Sequence, residues 1–137
     1  MAKIEKFEDL QVWILAREIS QAIWLLFENT SLGKDFELKN QMSRSSGSIM
    51  DNIAEGFERN GNREFIQFLS ISKGSCGELR YQLYRAFDRN HITKEQFEEI
   101  ASKTDFENKK LGFFISYLNS SEYRGSKFSR TSTNSKP

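Results

Sequence analysis

Six polar side chains, Gln41, Arg44, Ser48, Asn52, Glu55 and Arg59, follow one another at intervals of three or four residues. On an α-helix this spacing gathers them into an arc of about 80°, away from the arc that holds Met42, Ile49 and Ile53. Free helix surfaces are mostly lysine and glutamate. A line of amides, hydroxyls and guanidinium groups instead suits directional hydrogen bonds to another helix, a second subunit or a ligand. The chemistry expected of this face is recognition, with the six residues forming an oligomer or partner interface.

The means for catalysis are sparse. His91 and Cys76 are the only histidine and cysteine, so no structural zinc set of the usual kind can be assembled. Cys76 lies in register with Ser72 and Leu79 and is expected to act as a small core residue. Glu55, Glu64 and Glu78 could pair near Arg44 or Arg59, but ion pairs between helices or subunits are the commoner use of such groups. Gly56, Gly61, Gly74 and Gly77 follow no strand and form no phosphate-binding loop. They are expected at turns and close contacts. The chain is therefore expected not to be an enzyme and to use no metal or cofactor. Trp13 and Trp24 are expected as core or interface anchors, the core being the commoner place.

Four helices must position the polar face. Leu10, Val12, Trp13, Ala16, Ile19, Ile23, Leu26 and Phe27 recur at helical spacing and predict a first helix from about Asp9 to Asn29. Gly33 closes the following turn, with a left-handed conformation expected. A second helix runs from about Leu38 to Glu58, its core side formed by Met42, Ser46, Ile49, Ile53 and Phe57. Small residues at 43 and 45–48 would let a neighbour approach closely. Asn62 is read as the N-cap of a third helix reaching about Asn90, with Phe65, Phe68, Leu69, Ser72, Cys76, Leu79, Leu83 and Ala86 inward. Thr93 followed by Gln96 is a capping-box signature. It opens a fourth helix to about Asn119, whose stripe is Phe97, Ile100, Thr104, Leu111, Phe114 and Leu118. Long helices joined by short turns predict an all-α fold, an antiparallel up-down-up-down four-helix bundle over residues 1–121.

Residues 122–137 have no apolar period and are expected to form a flexible basic tail. They hold four basic and one acidic side chain of the chain's 20 and 19, leaving 16 basic against 18 acidic in the body. Any nucleic-acid contact would thus rest on local patches or on the tail, through Arg124, Lys127, Arg130 and Lys136. No apolar run approaches the roughly 20 residues of a membrane span. With one cysteine and no signal-peptide core, a cytoplasmic location is expected.

Three separated segments carry a family resemblance. The run from Gln41 to Arg59, centred on Asn52-Ile53-Ala54-Glu55-Gly56, resembles the hallmark segment of four-helix-bundle proteins encoded in intervening sequences of bacterial large-subunit (23S) ribosomal RNA genes. Phe7-Glu8-Asp9-Leu10-Gln11-Val12-Trp13 agrees with it, as does Glu64-Phe65-Ile66-Gln67-Phe68-Leu69 with Gly74-Ser75 and Glu78-Leu79 beyond. The resemblance implies a ring-shaped homopentamer with no catalytic activity. A related branch, the accessory variability proteins of diversity-generating retroelements, binds a reverse transcriptase and nucleic acid through basic surfaces. Because the body of this chain is slightly acidic, the bundle and the homo-oligomer carry over more directly than a nucleic-acid or reverse-transcriptase partner.

Overall fold

The computed structural model describes residues 4–120. Helix α1 spans Gln11–Asn29, α2 Phe36–Glu58, α3 Asn62–Asp88 and α4 Lys94–Asn119. No strand occurs among the described residues, and none of their helices is long and apolar enough to cross a membrane.

Local chemistry sets most of the boundaries. Asp9 is not in α1 but ends a short 3₁₀ turn, Phe7–Asp9, so the helix starts two residues later than expected. Helix α2 starts two residues earlier than expected because the Asp35 carboxylate accepts from the Leu38 N–H at 3.4 Å. Before α3 the N-cap is Gly61, held at φ 100°, and Asn62 is already the first helical residue and buried. A side-chain cap at Asn62 is therefore replaced by a backbone conformation that glycine adopts cheaply. Helix α3 ends at Asp88, short of Asn90, which takes φ 63° in the loop. The capping box of α4 is present in full: Thr93 N–H donates to Gln96 Oε1 at 2.8 Å, and Gln96 N–H donates to Thr93 Oγ1 at 3.1 Å.

Gly33 does not use the left-handed region, since Gly61 is the positive-φ glycine of the described residues. It lies in a second 3₁₀ turn, Ser31–Lys34. A Cβ there would stand 2.0 Å from the Phe27 carbonyl oxygen. Close approach, not φ, requires the glycine.

The apolar stripes of the four helices meet in one core. Phe57, Phe65 and Phe114 are almost wholly buried and pack edge to face, with centroids 6.0 and 5.3 Å apart. Burying each such ring contributes about 2–3 kcal/mol. Helix α1 packs on α2 and α4, and α3 also packs on α2 and α4. Contacts between α2 and α3 descend α3 as they ascend α2: Gln41 meets Arg85, Ser48 meets Ser75, and Ile49 accepts from Ser72 at 2.7 Å. The α3–α4 contacts have the same opposed sense, from Tyr84 against Phe97 to Phe65 against Phe114.

The two tryptophans part company. Trp24 is 48% exposed, in edge contact with Phe27, whereas Trp13 is half-buried, packed against the core and Phe7. Phe68 is also half-buried, at the rim of α3. Of the glycines expected at close helix contacts, Gly56 is one, whereas a Cβ at Gly47, Gly74 or Gly77 would meet nothing within 4 Å.

Candidate functional site

Between α2 and α3 lies a polar groove of about 570 Å³. Gln41, Arg44 and Ser48 reach it from α2, and the facing turns of α3 supply Ser75, Glu78, Tyr81, Gln82 and Arg85. Small residues at the seam make this depression possible. Ser45, Ser72 and Ser75 are buried where larger side chains would fill the space.

Five of the six polar residues lie in α2 and Arg59 is its extended C-cap, and they divide along the helix. Gln41 Oε1 accepts from Arg85 Nη2, and the Ser48 and Ser75 hydroxyls lie 2.8 Å apart, so both bond across the α2–α3 seam. Asn52 Nδ2 donates to Ser48 O and Ser48 Oγ, each at 2.9 Å, bracing that contact from below. Farther on, Arg59 Nε donates to Glu55 Oε2 at 2.9 Å, and the Arg59 guanidinium lies 5.0 Å from the Phe68 ring centroid. Both members of this ion pair are about half exposed, so it adds little stability. Arg44 is exposed and makes no hydrogen bond or ion pair among the described residues. Replacing Asn52 with leucine is expected to lower the unfolding free energy by about 1 kcal/mol, since it removes the donor serving the Ser48 pair. A urea titration that leaves the midpoint unchanged would contradict this role.

His91 has more partners than its position in the chain suggested. Its Nε2 lies 2.9 Å from Asp35 Oδ2 and its Nδ1 2.7 Å from Ser31 Oγ, while Arg89 Nη1 donates to the same Asp35 oxygen at 2.8 Å. With the Nε2–H tautomer, the ring donates to Asp35 and accepts from Ser31. The hydrogen bond from His91, followed by that from Arg89, holds the Asp35 carboxyl down to about 2. Serine, histidine and aspartate are thus in contact, but Asp35 also accepts from Arg89 and caps α2. The cluster ties the α1–α2 loop to the α3–α4 loop.

Glu107 was not singled out by sequence. It is fully buried, and neither carboxylate oxygen has a hydrogen-bond partner among the described residues. Burial pushes its carboxyl up to about 9, opposed by the charge of Lys110. The signal was the gap in the α4 stripe: Ile100, Thr104, Leu111, Phe114 and Leu118 leave position 107 as the missing inward rung. Cys76 is buried as expected and donates to the Thr104 carbonyl oxygen at 3.1 Å. Desolvation, reinforced by Glu107, pushes the thiol up to about 12, which keeps it protonated and unreactive near neutrality. No group of three or more histidine, cysteine, aspartate or glutamate side chains placed to hold a metal occurs among the described residues.

The family model described as 23S rRNA-intervening sequence protein matches residues 8–112. The chain belongs to this family. The structure of this intervening-sequence protein is similar to the crystal structure of a protein of unknown function from the S23 ribosomal protein family of Bacteroides thetaiotaomicron VPI-5482. The two share 28% identity with a TM-score of 0.69, covering 80% of this chain and 99% of the other. No curated protein matches the chain. All six polar residues from Gln41 to Arg59 fall inside the matched family span. Arg124, Lys127, Arg130 and Lys136 lie beyond it and outside the described residues.

Proposed function

We propose that this intervening-sequence protein is a non-catalytic scaffold, an up-down-up-down bundle that assembles with copies of itself, and that the ring of five implied by the family resemblance is its working form. The observation that carries the reading is the outer face of α4. Phe113 is 76% and Phe106 56% exposed. With Lys110 and Tyr117 they line an apolar depression of about 550 Å³. The spacing 106, 110, 113 and 117 puts them on one stripe, as a helix seam requires. Exposed aromatic rings gathered in this way favour burial against another surface, and a second copy is the partner that the family resemblance supplies. The polar residues of α2 then work mainly within each subunit, and the seam between copies falls to α4.

Replacing Phe106 and Phe113 together with glutamate is expected to lower the native mass by light scattering while leaving the helical circular dichroism unchanged, because both rings lie outside the core. An assembly of unchanged mass would count against the α4 face as the seam.

A further inference from the structure

The α2–α3 groove contains unspent hydrogen-bonding and charged groups. Gln82 is 3% exposed, yet its Oε1 atom accepts no hydrogen bond. Arg44 and Glu78 line the same groove without an ion-pair or hydrogen-bond partner among the described residues, and Arg85 gives one N–H to the neutral Gln41 amide. A buried amide oxygen left without a donor is costly, while Arg44 and Glu78, exposed at the groove, are opposite charges available to a ligand.

These groups restrict the ligand. An apolar molecule would desolvate all of them without return. A simple inorganic anion suits Arg44 and Arg85 but is repelled by Glu78 and by the lone pairs of Gln82 Oε1. An amine has the opposite failing. A molecule carrying a carboxylate and an ammonium group satisfies both sets, and about 570 Å³ is an ordinary size for a small-molecule site.

We propose that the groove binds a free α-amino acid. Arg44 takes the α-carboxylate in the two-pronged manner open to a guanidinium. The ammonium donates to Glu78 and, once the Gln82 amide turns toward the groove, to its Oε1, and the side chain lies toward Tyr81. Two guanidinium groups against one carboxylate leave positive charge over, and Arg85 carries it, so an acidic side chain is preferred. This inference does not depend on how the subunits assemble.

Chemical-shift titration of the full chain with L-glutamate tests the site, with L-lysine and succinate as comparison ligands. The expected result is a saturable shift at residues 41–48 and 75–85, tighter for glutamate than for lysine, and much weaker with succinate, which lacks the ammonium. Arg44→Gln and Glu78→Gln, both exposed positions that should leave the fold intact, are each expected to weaken glutamate binding by about tenfold or more. Glu98→Gln on α4 should leave it unchanged. No saturable shift up to about 10 mM glutamate overturns the proposal. So does succinate binding as well as glutamate, which would mark a plain anion site, or glutamate binding that neither groove substitution weakens.

Discussion

Replacing Glu107 with leucine is expected to raise the unfolding free energy by about 3 kcal/mol at pH 7. The side chain occupies an inward rung of α4 with both oxygens buried and unpartnered. Folding lifts its carboxyl from an ordinary 4.5 to about 9, burial being the larger cause and Lys110 the opposing one. Near neutrality the folded protein must therefore hold a proton that the unfolded chain releases, at about 1.4 kcal/mol per pH unit above 4.5. The sign follows directly. A raised carboxyl leaves stability intact below pH 4.5 and removes it as pH climbs toward 9. The advantage of Glu107→Leu should be small at pH 4.5, grow through that window and level off above it. Apolar replacement of a buried ionisable group is often stabilising, and leucine, about one methylene larger, gives back a little of that gain in packing. Urea unfolding at several pH values checks this. Parallel curves for the two proteins from pH 5 to 9 would show that Glu107 finds a partner and stays ionised.

Gly56→Ala is expected to destabilise by about 2 kcal/mol, although alanine ordinarily favours a helix over glycine by about 1 kcal/mol. The new methyl would stand 2.7 Å from Phe68 Cβ and 2.9 Å from Phe65 Cδ1. A Cβ moves only with its backbone, so α2 and α3 would have to separate. Gly47 is the internal control, because a Cβ there has open space. Gly47→Ala should gain about 0.5–1 kcal/mol. Opposite shifts of the two urea midpoints are the expected signature, and a stabilised Gly56→Ala would contradict the close α2–α3 approach.

Features governed by near neighbours were legible in the sequence. The Thr93–Gln96 box works within one turn, and the stripes of α1 and α2 follow from spacing alone. What escaped depends on partners far along the chain. His91 meets Asp35 across 56 residues, and Ser48 meets Ser75 across 27. Neither pairing leaves a local mark. Glu107 was missed because its type argued against the place its spacing assigned. Trp24 misled in the opposite way, since its size suggested the core while its helical angle turned it outward. The polar residues of α2 were recognisable as a distinct face, but their division between the α2–α3 seam and the groove required the facing turns of α3.

Native mass spectrometry of the wild-type chain across a dilution series tests the proposed self-assembly most directly. One closed species of five chains, each 16.0 kDa, is the expected result. A single-chain mass at every concentration would contradict it.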